Sequence, residues 1–464
     1  MKSIVVIGGG VGGYVAAIRA AQLGAKVTLI EKNNIGGTCL NEGCIPTKVL
    51  LHTAQLYSEL LAGAQYGLKV NGDISVDWQS LQKRKADVIK QLVGGIKILL
   101  QYNKIEVING TAKINSAKSV SITKPNGEIQ RIDTDNIIIA AGSEPFIPPI
   151  PGVDSEGVIN SSEALSLDEI PKSITIVGGG VIGVEFAHLF NILGAEVSVV
   201  EMMPDILPRI DSEVVTLMRA HLENKNIKIY TGAKVESIRR NGSMLDVKIE
   251  TKDGSLMLKS QKVLMAVGRR GRLEGLNTEA VGIKTERNNI VVDDNMETNV
   301  PGIYAIGDIT GKNMLAHVAS EQGIIAAQNI MGIKDKMDYK VIPSCIYTNP
   351  EIASVGMTEE EAKSKGIDYK KGIFPLTANG KSIICNETSG FVKIIADSKY
   401  GEILGVHIIG PRATDMIGEA ALAIKLEATV DELISTIHAH PTVSESIKEA
   451  ALSVKNEAIH NVNA

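Results

Sequence analysis

The 464-residue sequence contains no uninterrupted apolar run of the length (about 20 residues) that a membrane-spanning helix requires, so no membrane segment is expected. It also lacks any block of basic residues. Its 48 lysines and arginines are interleaved with 53 acidic residues for a net charge of −5, which offers no surface to nucleic acid. Cysteine is scarce: four in this length do not form the disulfide framework of a secreted protein. The one tryptophan, Trp78, is expected to pack in a core. No metal-ligand cluster is read. No targeting segment is expected either. Met1-Lys2-Ser3 runs into Ile4-Val5-Val6-Ile7, and the apolar stretch to Ile18 is broken by five glycines and ends at Arg19. That pattern fits a strand, a turn and a helix better than a secretion signal. The cytoplasm is then the expected compartment, where a disulfide is more often catalytic than structural.

Two of the four cysteines fall in one stretch, Gly36-Gly37-Thr38-Cys39-Leu40-Asn41-Glu42-Gly43-Cys44-Ile45-Pro46-Thr47-Lys48. A regular helix would hold the Cα atoms of Cys39 and Cys44 about 8–9 Å apart, whereas a disulfide tolerates at most about 7 Å. A bond between them needs a distorted turn, which Gly43 permits and Pro46 restricts. Such a disulfide would be reducible, suited to passing electrons. The spacing alone equally allows two buried free thiols.

The chain is long enough for two to four domains. Residues 4–7 read as a buried parallel strand, Tyr14 to Leu23 as a helix and Val27 to Ile30 as a second strand. Between strand and helix lies Gly8-Gly9-Gly10-Val11-Gly12-Gly13, and Glu31 ends the second strand. This is the dinucleotide-binding βαβ pattern: Gly8 for the tight turn, Gly10 for close approach of a pyrophosphate, Gly13 for helix–strand packing, and Glu31 for a ribose hydroxyl. The unit recurs. Ile174 to Val177 leads into Gly178-Gly179-Gly180-Val181-Ile182-Gly183, and Leu193-Gly194-Ala195 into a strand ending at Glu201. Two units imply two dinucleotides. A carboxylate at Glu201, with no arginine before Arg209, favours NAD over NADP at the second. If the first unit holds the ADP half of FAD, the cysteine stretch that follows it can run beneath the flavin.

Further along, Leu50, Leu51, Ala54 and Leu56 follow Lys48 at core spacing, residues 75–103 read as helix, and residues 104–140 as short strands. The prolines from Pro145 to Pro151 mark a linker. Asp308, ending the apolar stretch Gly302 to Gly307, reads either as a ligand for the sugar-like chain of a flavin or as the cap of the helix from His317 to Ile330. From Pro343 the pattern turns to strands at 344–356, 373–376, 391–396 and 404–409, with helices at 415–426 and 430–437. Near the end, His440 precedes a proline and Glu445 follows five residues later. This pair is suited to proton transfer with a thiol. Equally, the loop caps the last helix through Thr442 or Ser444. Cys345 and Cys385 read as incidental thiols.

Over essentially its whole length the chain resembles the flavin-dependent pyridine nucleotide–disulfide oxidoreductases, on Gly8–Gly13, Gly36–Lys48, Gly178–Gly183, Tyr304–Asp308 and His440–Glu445 in that order. Met314-Leu315-Ala316-His317 and His438 to Thr442 are most similar to the branch that oxidises dihydrolipoyl groups with NAD. The resemblance implies an α/β fold: two doubly wound dinucleotide-binding domains, for FAD and NAD, plus a C-terminal α+β dimerisation domain. The implied boundaries are 1–149 for FAD, 150–270 for NAD, 271–342 for a return to the FAD domain and 343–464 for the dimer interface. It implies catalytic Cys39 (interchange thiol), Cys44 (against the flavin), Lys48 paired with Glu185, and His440 with Glu445 completing the other subunit's site. FAD contacts would come from Gly8, Gly10, Gly13, Glu31, Thr38, Lys48, Ala112, Gly142, Ser143, Asp308, Met314, Leu315, Ala316 and His317. NAD contacts would come from Gly178, Gly180, Val181, Gly183, Glu185, Glu201, Val235 and Gly268. The implied partners are a second copy of the chain and the lipoyl-bearing domains of a 2-oxoacid dehydrogenase or related complex. Two departures stand out: Ala141 replaces a usual threonine, and Ala112 a usual glycine. A reductase of another disulfide driven by NADH, or a flavoprotein scaffold, would share most of these features.

Overall fold

Strand Ser3–Ile7 is apolar on both faces because both are covered: Ile4, Val5 and Val6 are almost wholly buried. In the computed structural model, which describes residues 1–462, this strand sits at the centre of a five-stranded parallel sheet. The order is Ile303–Ala305, Asn136–Ile139, Ser3–Ile7, Lys26–Glu31, Glu106–Asn109. The first of these strands comes from far down the chain, so the second parallel sheet lies between the strands of the first in sequence. Helix Val11–Gln22 crosses helix Ala316–Ile330 at small residues, where a Cβ on Gly323 would lie 2.6 Å from the Gly12 carbonyl oxygen.

The second parallel sheet repeats the first. Ser173–Val177 pairs with Glu196–Val200 as Ser3–Ile7 pairs with Lys26–Glu31, in the same register. Its full order is Lys228–Tyr230, Glu196–Val200, Ser173–Val177, Lys262–Met265, Val158–Asn160. Each parallel sheet carries an antiparallel three-stranded one, at 111–133 and 234–260 respectively. Trp78 opens helix Trp78–Tyr102, is 7% exposed and donates to the Leu167 carbonyl. Leu56 differs from its expected core position: it is 45% exposed on helix Cys44–Leu61.

The C-terminal region is an antiparallel sheet ordered Ser344–Ile346, Glu351–Gly356, Ile403–Gly410, Phe391–Asp397, Tyr369–Pro375. The single strand expected over 344–356 is two, because the chain reverses at Tyr347–Pro350, where Asn349–Pro350 is cis. Helix Glu359–Ser364 was not expected, yet its signal is local: Thr358 and Glu361 form a reciprocal capping box. Among the described residues no helix is long and apolar enough to cross a membrane.

A buried ionic network joins this region to the second parallel-sheet unit. Lys393, whose side chain is fully buried, donates to Asp211 (2.9 Å) and Glu359 (2.6 Å) and pairs with Glu213. Asp211 also accepts from the Glu213 and Glu359 backbone N–H groups, at the start of helices in two different regions. Burial pulls the Lys393 pKa down, but its bonds to Glu213, Glu359 and Asp211 prevail and raise it. Lys393→Met leaves the fully buried Asp211 carboxylate without a cationic partner and is expected to cost about 3–5 kcal/mol, read as a lower denaturation midpoint. A loss under about 1 kcal/mol, the scale of an exposed pair, would contradict it.

Candidate active site

The cysteine stretch docks on the first glycine turn. Gly36 N–H donates to the Gly9 carbonyl at 2.8 Å, and a Cβ on Gly37 would lie 2.6 Å from the Gly10 Cα. Gly36 (φ +97°) and Gly37 (φ +58°) take left-handed conformations to make that approach. Helix Gly37–Glu42 then ends at Gly43, and helix Cys44–Leu61 begins. The break at Gly43 brings the two cysteine side chains close enough to perturb each other's ionisation. The expected disulfide is present here as the dithiol: both cysteines are free. The Cys39 pKa is raised by its interaction with Cys44 and by burial. The Cys44 pKa is lowered to about 7 by its interaction with Cys39, against burial and with help from Lys48. A pair sharing one proton is the state from which one sulfur reacts as thiolate.

Lys48 lies one helical turn beyond Cys44. Its ammonium donates to both oxygens of Glu185 at 2.8 and 2.9 Å and stands 4.5 Å from the Tyr347 ring centroid. Glu185, only 3% exposed, accepts a further bond from Tyr347 N–H at 3.0 Å. Three parts of the chain therefore meet beside the dithiol: its own helix, the second glycine-turn helix and the C-terminal region. Tyr347 and Arg269 were not singled out from sequence. Arg269 donates to the hydroxyl and carbonyl of Ser143 (2.7 and 2.9 Å), and Ser143 donates to Asp308 at 2.5 Å. Asp308 therefore does not cap the following helix, whose N-cap residue is Leu315.

The two glycine turns are near copies. A Cβ on Gly13 or Gly183 would lie 1.9 Å from the carbonyl oxygen of Gly8 or Gly178, and Gly8 (φ +104°) and Gly178 (φ +111°) make the turns. Glu31 accepts from Gly9 and Asn33 N–H (2.6 and 2.7 Å). Glu201 accepts from Gly179 and Met203 N–H at the same two distances. Gly10 and Gly180 differ from the other glycines of these two turns. A Cβ on Gly180 would meet nothing within 4 Å, and on Gly10 only the Gly37 Cα at 3.8 Å. The helices starting after them, Val11–Gln22 and Val181–Ile192, have no side-chain cap and no acid in the first turn. Open backbone at an uncapped helix N-terminus fits a pyrophosphate. Gly180→Ala is expected to fold with wild-type stability while raising the KM for a pyridine dinucleotide about tenfold or more, since a clash of about 1–3 kcal/mol then falls on the ligand. An unchanged KM would remove the turn from the binding site.

One continuous cavity of about 2420 Å³ spans both turns, and its walls include Gly10, Thr38, Cys39, Cys44, Lys48, Gly142, Asp308 and Met314 to His317 on one side. On the other side lie Gly178, Gly180, Val181, Glu185, Glu201, Val235 and Gly268. Gly8, Gly13 and Gly183 stand behind it, as their packing requires. Glu31 does not line it, although its carboxylate is bonded to the glycine loop as that of Glu201 is. Ser143, 1% exposed, reaches it through Asp308 and Arg269, which line it. Ala112 is not brought to the cavity: it pairs with Ile122 in an antiparallel strand and is 5% exposed in the core. Cys345 joins the wall, with its pKa pushed up to about 11 by burial and Glu351.

His440 and Glu445 are together but apart from the dithiol. His440 Nδ1 lies 3.0 Å from a Glu445 oxygen, yet the histidine side chain is 77% exposed and neither residue lines the cavity. The helix that follows, Glu445–Val454, has no side-chain cap from Ser444, while Thr442 accepts from Glu445 N–H. A second pair, His438 with Glu419 at 2.8 Å, sits beside it.

Comparison with known proteins agrees with this architecture. Residues 2–323 match the family model described as pyridine nucleotide-disulphide oxidoreductase, and residues 342–451 match the dimerisation domain of the same family. The chain is similar to a Bacillus subtilis dihydrolipoyl dehydrogenase (43% identity, 98% of each chain) and to that of Thermus scotoductus (42%, 99% of each). Among solved structures it resembles LpdA from Mycobacterium tuberculosis (28% identity, TM-score 0.91, 97% of this chain and 99% of that one). It also resembles the HOCl-induced flavoprotein disulfide reductase RclA from Escherichia coli (30%, TM-score 0.86, 97% and 99%).

Proposed function

The chain belongs to the pyridine nucleotide–disulphide oxidoreductase family, and on that premise we propose that it oxidises dihydrolipoyl groups to lipoyl disulfides, with NAD as electron acceptor and FAD as resident cofactor. The observation that carries this reading is the Cys39–Cys44 pair, held on a dinucleotide turn with the Lys48–Glu185 ion pair one helical turn away. Residues 1–149 and 271–342 hold FAD, through Gly10, Thr38, Gly142, Asp308 and Met314 to His317. Residues 150–270 hold NAD, through Gly180, Val181, Glu201, Val235 and Gly268, and residues 343–464 form the homodimer. FAD, when bound, accepts the electron pair of the dithiol and delivers it as hydride to the nicotinamide.

The thiol chemistry belongs to the protein. His440 of the partner subunit takes a proton from one substrate thiol at Nε2, while Glu445 of the partner subunit holds Nδ1 and stabilises the imidazolium. The substrate thiolate attacks Cys39 of the oxidised pair, breaking the S–S bond and releasing Cys44 as thiolate. The second substrate thiol displaces Cys39, to which its proton passes, closing the lipoyl disulfide and leaving Cys39 as thiol, Cys44 as thiolate and His440 of the partner subunit protonated. A neighbouring ammonium, Lys48, favours the Cys44 thiolate. The partners are lipoyl-bearing domains of a 2-oxoacid dehydrogenase or related complex, and the compartment is the cytoplasm.

The test is a matrix of substrates and nucleotides. Dihydrolipoamide with NAD is expected to exceed the same reaction with NADP on the order of 100-fold, about 2.7 kcal/mol, because buried Glu201 repels a 2′-phosphate. Glutathione disulfide with NADH is expected to turn over far more slowly than lipoamide. Preference for glutathione, or for NADP, would overturn the reading.

A further inference from the structure

Helix Val181–Ile192 meets the C-terminal region through two buried side chains three residues apart, Glu185 and His188. Each accepts from a backbone N–H of the segment after strand Ser344–Ile346: Tyr347 N to Glu185 at 3.0 Å, Asn349 N to His188 Nε2 at 3.1 Å. Positions i and i+3 share one helix face, and the chain reversal at Tyr347–Pro350 presents the Tyr347 and Asn349 N–H groups to it.

Glu185 is accounted for by Lys48. His188 touches no reacting group, yet it is polar and 6% exposed among Val184, Phe186, Ala187, Leu189 and Phe190. A leucine would satisfy that apolar surface and leave the Asn349 N–H without an acceptor. The ring is kept neutral: burial first, then His221 and Lys225 from the neighbouring helix and its end, lower its pKa to about 3. Nε2 therefore stays available as acceptor, with the ring proton on Nδ1.

We propose that His188 is a positioning residue: by accepting from Asn349 N–H it registers the Tyr347–Asn349 segment on helix Val181–Ile192, and so holds Tyr347, Glu185 and the Lys48 ammonium in the arrangement that favours the Cys44 thiolate. This rests on the reading of Cys44 as a redox thiol. The groups facing Cys44 are Cys39, Lys48 and Glu185, with Arg269 and Tyr347 further round. Without the acceptor the segment slackens, Tyr347 N–H withdraws from Glu185, and Lys48 loses both its ring neighbour and its fixed place.

The test uses the purified, reduced holoenzyme as wild type, His188→Gln, His188→Leu and His188→Ser. Iodoacetamide modification of Cys44 is followed against pH by peptide mass analysis, so no turnover is needed. Gln can still accept from Asn349, and its profile is expected to match wild type. Leu cannot, and its midpoint is expected to rise so that modification at pH 7 slows about fivefold to tenfold, in proportion to the thiolate lost. Ser is too short to reach and shifts the same way; it decides the matter if the Leu variant does not fold. Wild-type profiles for both Leu and Ser would overturn the proposal. An equal slowing in the Gln variant would do the same, since packing rather than the acceptor would then matter. Absence of dihydrolipoamide turnover in the wild type would instead strike the functional reading and leave this measurement intact.

Discussion

Cys44→Ser is expected to lower dihydrolipoamide turnover on the order of 10⁴-fold or more, as loss of a covalent participant does, while FAD stays bound and the melting temperature is little changed. The site separates these effects. Cys44 begins its own helix and is exposed, so a hydroxyl of similar size costs little packing. The dinucleotide turn is built by Gly8, Gly13 and the docked Gly36–Gly37, none of which touches the Cys44 side chain in building it. A serine can neither form the S–S bond nor ionise near neutrality. The pH dependence follows. With the Cys44 pKa lowered to about 7 by its interaction with Cys39, the thiolate of the reduced protein is present above that value and is lost as pH falls through it. Full lipoamide activity in the serine variant would refute the mechanism, and loss of FAD would move Cys44 from chemistry to cofactor binding.

His440→Gln is expected to slow thiol–disulfide exchange about 10²- to 10³-fold, within the range of a lost general base, with FAD and NAD binding unchanged. Glutamine can keep a hydrogen bond to Glu445 but cannot take the substrate's proton. The exposed position of His440, away from the cavity that holds Cys39 and Cys44, makes a sharper demand. If the partner subunit completes each site, a heterodimer of one Cys44→Ser chain and one His440→Gln chain has one site with both defects and one with neither. It should therefore regain activity that neither homodimer shows. If each chain used its own histidine, both sites would be defective and the mixture would stay inactive.

The parts of this site that follow from chain-local geometry were legible in the residues. The two glycine turns and their acids, Glu31 and Glu201, are tied together by the covalent length of a strand–helix–strand unit, and the structure holds both copies with matching bonds. Glu445 lies close enough in sequence to His440 to fold back on it, and it does. Lys48 with Glu185, far apart in sequence, came only through resemblance, because no local rule pairs them. Tyr347, Arg269 and His188 carried no signal: each acts through a partner more than a hundred residues away. Ala112 runs the other way. A family position was carried over to a residue that the strand pairing buries in the core. The split of 344–356 escaped because periodicity reads a hairpin of two short strands as one.

The central claim is that the Cys39–Cys44 pair passes electrons to a flavin lying against Cys44. The visible spectrum of the purified protein, recorded during anaerobic titration with dihydrolipoamide at a pH above 7, tests it most directly. The account predicts a long-wavelength absorption band that grows with added dithiol, fades as pH is lowered through about 7, and is absent in Cys44→Ser. A flavin that bleaches without that band, or a band that persists in the serine variant, would contradict it.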